Sequence, residues 1–471
     1  MRTTRTVAVV LAVGALGCGA AGAMQGGETA LEPTERGSVE TPFWSPRRVP
    51  QPIVDAVGAQ RLQAALDAQV VGVDACFVVD EGGAPLAARS ADLPFVPAST
   101  EKLVTGAVAL AVLGSESVLE TRVMAPAAPQ NGAIDRLWMV GGGDFLLMTP
   151  EAQALREQIP ELRGTPTTPL VQLADAIVAA GVKRIPGGVI GDDSRYETLR
   201  YLPTWKDSYR TEGQVGPLGA LTVNGGFSQL QPQPVPVVDP AVFAASELAR
   251  LLEDRGVTIG SGADRGKVGD GAVEITKVQS PPMTAVVGEM IAVSDNLGAE
   301  LLMREIGLAA SQQGTTAAGV LAAMQKLTEL GLPTANVAFV DGSGLDRGNR
   351  MTCQLLDATL DLGATTEFAS LWTGLAVAGQ YGTMVDQHEG TILDGKLRGK
   401  TGSLDGVTGL VGIVEVGRPL RFAFIANGAF TEGEGIALRG RIAAIIATFP
   451  DAPPADLLVP RPVGEPATTD P

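Results

Sequence analysis

The sequence predicts an α/β (α+β) domain that is interrupted by a mainly β insertion. Strand-like segments occur near both ends of the chain, and a block of apolar helical segments precedes the last of them. Between residues 123 and 279 the pattern changes to short strands separated by turns. One domain assembled from residues 51–122 and 280–449, with residues 123–279 inserted, accounts for this order of elements.

The first part of the domain predicts a helix, a hairpin and a second helix. Residues 61–68 have a helical pattern, and residues 70–79 are strand-like. The turn Glu81-Gly82-Gly83 follows, which points to a return strand at residues 86–88. Residues 99–113 predict a helix that is apolar nearly all round, so we expect it to be buried.

Further helices and strands are predicted in the insertion and in the second part of the domain. In the insertion, strands are expected at 136–140, at a segment that ends in Asp192-Asp193, and at 273–278, with helices at 170–180 and 241–255 and an extended Pro-rich linker at 231–240. In the second part, helices are expected at 283–293, 297–306, 315–330, 354–365 and 436–448, and strands at 407–416 and 421–429.

Both ends of the chain are predicted to lie outside the folded domain. Residues 1–23 combine two arginines, a short apolar stretch and a small-residue cleavage site, which is typical of a secretory signal peptide. A lipidated anchor at Cys18 and an uncleaved membrane anchor are the alternatives. Residues 24–50 predict a flexible spacer and residues 450–471 a disordered tail. The protein is therefore expected in the periplasm or another extracytoplasmic cell-wall space, with the membrane or the wall as a peripheral contact.

The composition excludes several classes of function. The 471 residues include 35 Lys and Arg and 52 Asp and Glu, and this net charge of −17 argues against nucleic acid as a partner. His388 is the single histidine, which excludes zinc sites built from several imidazoles and limits any Ser-His-Asp triad to that residue. Neither a metal nor a cofactor is predicted. Cys76 and Cys353 are expected to be small buried side chains rather than a disulfide, although export makes a disulfide chemically accessible.

Ser99-Thr100-Glu101-Lys102 is the first motif that indicates catalysis. Residues three apart on a helix share a face, so the Lys102 amine can approach the Ser99 hydroxyl. A lysine whose pKa is lowered by its surroundings can take the serine proton and so create a nucleophile. The alternative interpretation is a helix cap at Ser99 with Lys102 in solvent.

Two further motifs add groups that could bind a substrate. Ser294-Asp295-Asn296 lies between two apolar helical runs, where its hydroxyl and carboxamide could face a pocket. The alternative is an ordinary polar turn or helix cap. Lys400-Thr401-Gly402-Ser403 predicts a strand whose hydroxyls alternate on one side, beside a cation and a glycine. Such a strand could hold a ligand carboxylate while one of its backbone N–H groups points at a reacting carbonyl oxygen. A sheet edge protected by a lysine is the alternative.

Together the three motifs, in this order, resemble the signature of serine penicillin-binding proteins and serine β-lactamases. Stretches such as Gly141-Gly142-Gly143-Asp144 narrow the resemblance to the D-alanyl-D-alanine carboxypeptidase/endopeptidase family, the class C low-molecular-mass penicillin-binding proteins, over about residues 55–450. The long spacing between the first two motifs is also similar to that family. The sequence departs from the family at Phe145, where Pro is usual, and at Ser403, where Thr is usual.

The resemblance implies a transpeptidase-like fold, with an antiparallel sheet flanked by helices, and an acyl-enzyme mechanism. Ser99 is expected to attack the carbonyl between two D-alanines, with Lys102 as base and Ser294 as proton relay to the leaving amine. The backbone N–H groups of Ser99 and Ser403 are expected to form the oxyanion hole. The residues that the resemblance assigns to substrate binding are Asn296 for the peptide carbonyl, and Lys400, Thr401 and Ser403 for the terminal carboxylate.

The same resemblance implies the partners, which are peptidoglycan stem peptides and, as covalent inhibitors, β-lactam antibiotics. Cleavage of terminal D-alanine and cleavage of peptide cross-links stay open as alternatives. A β-lactamase or esterase-like homologue and a non-catalytic wall-binding protein are the competing functions. No Glu-x-x-Leu-Asn loop, with which some β-lactamases hydrolyse their acyl-enzyme, occurs in the chain.

The resemblance also implies a second subsite, for the amino-and-carboxyl end of a diaminopimelate side chain. Asp192 or Asp193 would supply the anion for the ammonium group, and Arg347 the cation for the carboxylate, since arginine favours bidentate geometry. Tyr196 and Leu404 would line the apolar part. The alternative is that the aspartates end a strand in a solvated turn and that Arg347 pairs with its neighbour at the surface.

Overall fold

The computed structural model describes residues 51–458. The predicted signal peptide, the spacer and the end of the predicted tail lie outside these residues. Within them the strands, in chain order, are β1 (Asp74–Glu81), β2 (Ala84–Arg89), β3 (Glu120–Ala125), β4 (Leu137–Val140), β5 (Leu147–Met148), β6 (Thr168–Pro169), β7 (Arg184–Ile185), β8 (Val189–Asp192), β9 (Phe227–Gln229), β10 (Val235–Pro236), β11 (Thr258–Ile259), β12 (Asp264–Arg265), β13 (Val273–Gln279), β14 (Ala376–Val377), β15 (Leu397–Leu404), β16 (Val407–Val416) and β17 (Arg418–Asn427).

The helices of the same residues are α1 (Gln51–Gln69), α2 (Lys102–Leu113), α3 (Pro150–Arg156), α4 (Val171–Ala179), α5 (Asp207–Thr211), α6 (Pro240–Glu253), α7 (Met283–Val293), α8 (Asn296–Ser311), α9 (Thr316–Glu329), α10 (Cys353–Leu362), α11 (Ser370–Thr373), α12 (Glu432–Ile446) and α13 (Ala455–Leu458). Short 3-10 helices occur at Ala98–Glu101, Pro160–Leu162, Asn224–Gly226 and Gly382–Met384. None of the helices of residues 51–458 is both long enough and apolar enough to cross a membrane.

The central sheet combines segments from before and after the insertion. Its six strands are ordered β14-β15-β16-β17-β1-β2, and every neighbouring pair is antiparallel. The return strand β2 confirms the predicted hairpin, and the fold class predicted for this domain is confirmed. Strand β1 is buried on both faces, so the sheet must be covered on both sides.

Two layers of helices provide that cover. Helix α2 packs against α7, α8 and α10 on one face of the sheet, and α1 packs against α12 on the other. Side chains of β1 alternate between the two cores, with Cys76 and Val78 in the first and Phe77 and Val79 in the second. Helix α2 is buried from Lys102 to Leu110, as its apolar pattern predicts.

The inserted segment contributes a separate sheet and a separate core. Its five strands are ordered β12-β8-β4-β3-β13, with parallel pairing from β12 to β4 and antiparallel pairing from β4 to β13. Helices α4 and α6 pack on this sheet and enclose the third hydrophobic core. The insertion is therefore less purely β than predicted, because parallel strands need covered faces.

Cys76 and Cys353 form a disulfide, with 5.9 Å between their Cα atoms. The expectation of two unpaired side chains is therefore wrong. Both residues are completely buried, as expected for small apolar side chains. They meet because α10 begins at Cys353 and packs against β1, which carries Cys76.

The start of the predicted tail is also folded. Residues 455–458 form α13, and the backbone carbonyl of Leu457 accepts a hydrogen bond of 3.0 Å from the side chain of Gln69. Pro450 lies against Gly58 of α1. The disorder predicted from residue 450 therefore does not apply to residues 450–458.

Candidate active site

Ser99 lies in a tight turn that leads directly into helix α2. The preceding residue, Ala98, is completely buried and has a φ of +48°, a conformation that side chains other than glycine rarely adopt. Two glycines hold this backbone from either side. A Cβ on Gly344 would lie 2.0 Å from the Ala98 carbonyl oxygen, and one on Gly402 would lie 2.9 Å from that of Pro97. The nucleophile is therefore presented by a strained backbone that its surroundings fix in place.

The Lys102 amine is in contact with the Ser99 hydroxyl. Lys102 is fully buried, and its Nζ donates to Ser99 Oγ at 2.9 Å, to Asn296 Oδ1 at 2.6 Å and to the Ser343 carbonyl at 2.7 Å. Burial lowers the pKa of Lys102 to about 8, because the charged form is deprived of water. A substantial neutral fraction near neutral pH is what a general base requires.

Buried carboxyl groups lie behind this amine and oppose the effect of burial. Glu300 and Asp341 both act to raise the pKa of Lys102. Glu300 accepts hydrogen bonds from the backbone N–H groups of Gly342 (3.0 Å) and Ser343 (2.8 Å), which holds the loop that supplies a carbonyl to Lys102. Burial raises the pKa of Glu300 to about 8 and that of Glu101 well above its ordinary value. Glu300, behind the Lys102 amine, is thus mostly neutral at pH 7, and burial displaces the pKa of Glu101 in the same direction.

Ser294-Asp295-Asn296 connects the ends of two helices at this site. Ser294 ends α7 in the left-handed conformation (φ +62°), and Asp295 caps α8 by accepting from the Gly298 N–H at 2.9 Å. Asn296 is therefore the first residue of α8, and its side chain faces Lys102. Its Nδ2 also donates to the Gln214 carbonyl at 2.7 Å, which links the motif to the inserted segment. Asp295 is thus a helix cap, while Ser294 and Asn296 on either side of it line the cavity.

The third motif lies on β15, beside the nucleophile. Thr401 and Ser403 line the same cavity as Ser99, as expected for residues two apart on a strand. Lys400 is buried, and its amine donates to the Thr401 carbonyl at 2.8 Å. Burial, with repulsion from Lys102 and Arg439, holds the pKa of Lys400 well below its ordinary value.

Two neighbours that the sequence analysis did not identify orient these hydroxyls. Thr383 and Thr401 place their Oγ atoms 3.0 Å apart. Arg439 donates to Ser403 Oγ at 3.0 Å and to the Gly402 carbonyl at 3.2 Å. Burial lowers the pKa of Arg439 to about 10, so it stays protonated at neutral pH. The strand thus presents two oriented hydroxyls above buried basic groups, an arrangement suited to a carboxylate.

A cavity of about 630 Å³ joins the three motifs. Ser99, Ser294, Asn296, Thr401 and Ser403 line it. The inserted segment supplies most of the remaining wall, through Met148, Ala152, Arg156, Ile159, Glu161, Leu162, Gly213, Gln214, Val215, Gly216, Asn224, Gly225, Phe227, Leu230 and Pro234. The structure thus brings together the residues of all three motifs around one space large enough for a small peptide.

Asp192 and Asp193 do not line this cavity. The Asp192 carboxylate accepts from the backbone N–H groups of Ser194 (2.9 Å) and Val268 (2.7 Å). Asp193 is paired with two arginines of the insertion, Arg200 at 2.6 Å and Arg265 at 2.9 Å. Both carboxylates are nearly completely buried and their oxygens are occupied by the fold itself, so neither is available as the anion of the predicted subsite.

Arg347 is exposed and lies just past the end of the motif strand β15. Its Nη1 donates to the Asp405 carbonyl at 2.9 Å, two residues beyond Ser403. The alternative, a surface pairing of Arg347 with its neighbour Asp346, is not present among its hydrogen bonds either. Tyr196, predicted to line the same subsite, is buried and donates instead to Glu305 at 2.6 Å. The structure therefore does not assemble these residues into the single pocket that was predicted.

Arg156, Glu161, Gln214 and Thr383 are cavity residues that the sequence analysis missed. The segment that carries Arg156 had a recognisable signal, because Thr149 caps α3 and Pro150 occupies its first turn. Gln214 contributes a backbone carbonyl, which any residue type could supply. His388 is half-buried and does not line the cavity, so the triad alternative has no geometric basis.

Comparison with known proteins agrees with this geometry. The D-Ala-D-Ala carboxypeptidase 3 (S13) family matches residues 55–236 and 228–448. A carboxypeptidase of Mycobacterium tuberculosis is 31% identical over 374 residues, which cover 74% of this chain and 75% of that protein. A D-alanyl-D-alanine carboxypeptidase of an Actinomadura species is 26% identical over 470 residues, 82% of each chain.

Solved structures show the same fold. The crystal structure of penicillin-binding protein 4 from Haemophilus influenzae superposes with a TM-score of 0.67 at 20% identity, covering 82% of this chain and 99% of that one. The class C penicillin-binding resemblance predicted from the three motifs is confirmed by these matches. This chain belongs to the D-Ala-D-Ala carboxypeptidase 3 (S13) family.

Proposed function

We propose that this protein is a serine D-Ala-D-Ala carboxypeptidase that trims peptidoglycan stem peptides through an acyl-enzyme on Ser99. The observation that carries the proposal is the 2.9 Å contact between Ser99 Oγ and a completely buried Lys102 amine. A primary amine that is deprived of water is a competent base, and a serine hydroxyl needs one. The family membership supports the same activity.

Acylation begins when Ser99 Oγ attacks the carbonyl of the penultimate D-alanine and its proton passes to Lys102. The C–N bond of the tetrahedral intermediate then breaks, and the leaving amine receives a proton through Ser294, which lies on the cavity wall. Water attacks the resulting ester, and the shortened peptide is released as Ser99 regains its proton. The backbone N–H groups of Ser99 and Ser403 would stabilise the oxyanion in both halves of the reaction.

Substrate binding is divided between the two sides of the nucleophile. On one side, Thr401 and Ser403 would receive the terminal carboxylate, with the Lys400 amine beneath them. A carboxylate bound there favours the protonated form of Lys400, since it offsets the repulsion from the other buried cations. On the other side, Asn296 would bind a peptide carbonyl of the acyl part. Arg347 stays a candidate for a carboxylate of the stem peptide, at the edge of the same strand.

Terminal D-alanine and peptide cross-links both remain within the proposed substrate range, and β-lactams would acylate Ser99 as covalent inhibitors. Solved relatives of the same fold include a penicillin-binding protein 4 complexed with a β-lactam and a peptidoglycan endopeptidase of Bdellovibrio bacteriovorus. The predicted signal peptide supports an extracytoplasmic location for this activity, on the side of the membrane where peptidoglycan is cross-linked.

Labelling with a fluorescent penicillin, alongside release of D-alanine from an acylated D-Ala-D-Ala peptide, tests the proposal. Ser99→Ala should lose both the label and measurable peptidase activity, because a missing nucleophile typically costs about 10⁶-fold in rate. The matched control is His388→Asn, since asparagine tolerates the positive φ of that position and His388 is outside the cavity. Turnover by folded Ser99→Ala, or loss of activity in His388→Asn, would refute the mechanism.

A further inference from the structure

The wall of the cavity that holds the proposed carboxylate site includes residues of the insertion, and an inference about them rests on the proposed function. Thr383 marks the carboxylate end, because its hydroxyl touches Thr401. The short helix Gly382–Met384 that carries it packs against Pro160–Leu162 of the insertion. Asn296 and Gln214 mark the opposite end. The side chain of a departing D-amino acid, whose own carboxylate is at Thr401, would thus extend toward the wall formed by residues 152–162.

Arg156 is the basic residue of that wall. Among the described residues that line the cavity it is the only lysine or arginine. Its Nε donates to Thr165 Oγ1 at 2.9 Å, and one terminal nitrogen pairs with Glu289 of α7. The other terminal nitrogen makes no hydrogen bond within residues 51–458, and the Arg156 side chain, which is 10% exposed, lines the cavity. Two of the three guanidinium nitrogens thus hold the group in place, and the third can bind a ligand.

The position of Arg156 relative to Thr401 follows from a shared neighbour. Arg156 pairs with Glu289 of α7, and α7 packs against the short helix Gly382–Met384. Tyr381 directly precedes the short helix that places Thr383 against Thr401. The same short helix packs against Pro160–Leu162, in the segment that follows Arg156, so Arg156 and Thr383 belong to adjoining parts of the cavity wall.

The charges around Arg156 decide whether it can attract an anion. Glu289 is completely buried, and burial raises its pKa to about 8, so it neutralises the guanidinium only in part. Glu161 and Glu432 also line the cavity, and they would repel an anion. Burial and then Asp386 raise the pKa of Glu161. The cation is fixed and nearly buried, so its hydrogen bond to a carboxylate should outweigh the more distant repulsion.

We propose that Arg156 is a specificity-determining residue that binds a second carboxylate, carried on the side chain of the leaving D-amino acid. The ligand class is a D-amino acid with an acidic side chain, either free at the end of a stem peptide or as part of a cross-link that is cut. The chemical step is unchanged: the same C–N bond breaks, and the leaving amine takes the same proton. Arg156 acts by positioning that amine while it departs.

Four peptides that differ only in the leaving residue test this proposal: acyl-D-Ala followed by D-Ala, D-Glu, D-Gln or D-Lys. The wild-type protein should cleave the D-Glu peptide with a kcat/KM about tenfold higher than that for its D-Gln isostere. This ratio is what a partly solvated charge-assisted hydrogen bond ordinarily contributes. In Arg156→Gln combined with Glu289→Gln, which leaves no unpaired charge in the protein, that ratio should fall to about one. Arg156→Lys should retain part of the preference.

The matched control is Arg163→Gln, which removes an exposed arginine of the same segment outside the cavity and should keep the tenfold ratio. An equal rate for D-Glu and D-Gln in the wild type would overturn the proposal. So would a preference for D-Lys, which would assign the specificity to Glu161 and Glu432, or a ratio that the double variant does not change. Failure to cleave any of the four peptides, D-Ala-D-Ala included, would instead refute the proposed function itself.

Discussion

At the scale of single residues, the central question is how an amine enclosed by carboxyl groups can act as a base. Opposite charges raise the proton affinity of an amine, whereas burial lowers it. Around Lys102 burial is the larger effect and lowers the pKa, although Asp341, Glu300, Asp295 and Glu101 act to raise it. Burial also raises the pKa values of Glu300 and Glu101, which weakens the opposition from these two carboxyls.

The rate of acylation should therefore rise with pH through the range around 8 and level off above it. Below that range Lys102 is protonated and cannot take the Ser99 proton; above it the neutral base predominates. The measurement is the second-order rate constant for acylation by a fluorescent penicillin between pH 6 and 9.5. A rate that is flat across this range, with the fold intact by circular dichroism, would contradict the assignment of Lys102 as base.

Glu101 provides a second prediction because its burial has no evident compensation. Neither of its carboxyl oxygens has a hydrogen-bond partner among the described residues, and the side chain is completely buried. Replacing an unsatisfied buried polar group by an apolar one of similar size is stabilising. Glu101→Met should therefore raise the free energy of unfolding by about 1–3 kcal/mol, measured by urea denaturation. Glu101→Gln, which keeps unsatisfied polar atoms, is the control and should gain little; a less stable Glu101→Met would contradict this account.

Residue roles were predictable where they depend on local spacing. Ser99 and Lys102 are three positions apart on a helical turn, and Thr401 and Ser403 are two apart on a strand, so their meeting follows from backbone geometry. Asp192 and Asp193 are candidates from sequence because a zwitterionic side chain needs an anion, and no local pattern indicates the partners they have in the fold. Arg265, which pairs with Asp193, is 72 residues away in sequence. Such non-local pairing is set by the fold of the insertion.

At the scale of elements, the loop after β4 determines where helix α8 begins. Phe145, which replaces the usual proline, is buried and its ring lies over Gly298 in the first turn of α8. A Cβ on Gly298 would lie 2.5 Å from that ring. Since Asn296 is the first residue of the same helix, the fit of Phe145 on Gly298 also sets the position of the Asn296 side chain.

Gly298→Ala should consequently lower the free energy of unfolding by about 1–3 kcal/mol, the usual cost of overpacking. The acylation rate should fall as well, because the start of α8 must move. Phe145→Leu makes room for the added methyl group, so the double variant should recover at least half of the lost stability. The test is a double-mutant cycle of urea denaturation curves. If Gly298→Ala lowers the free energy of unfolding equally with and without Phe145→Leu, crowding of the Phe145 ring is not the cause of the lost stability.

Elements were predictable in proportion to their length and apolar content. Helix α7 occupies Met283–Val293 as predicted, and β16 occupies Val407–Val416. The boundaries of less apolar helices shifted, as for α12, which starts at Glu432 through a capping box on Thr431. The order of the inserted sheet could not be predicted, because β12 pairs with β8 through only two residues and the partners are far apart in sequence.

At the scale of the whole molecule, the domain that carries the site is made of two segments separated by the insertion. Their junction in the central sheet is the pairing of β1 with β17, from Asp74↔Asn427 to Asp80↔Arg421. The disulfide lies beside this junction, joining β1 to α10 across 277 residues of sequence. The inserted segment thus lies within a covalently closed loop, which the motifs alone did not indicate, since a cysteine pair has no local signature.

Reduction of this disulfide should lower the free energy of unfolding by about 2–5 kcal/mol, since a bridge that closes a long loop restricts the unfolded chain most. Penicillin acylation of the protein that remains folded should persist, because neither cysteine lines the cavity. The measurement is urea denaturation of the wild type with and without a reductant, with Cys76→Ala combined with Cys353→Ala as the control, whose curve the reductant should not move. If the wild-type midpoint is the same in both conditions, the bridge contributes nothing to stability, and the two segments are held together by the pairing of β1 with β17 and by the cores on either side of the sheet.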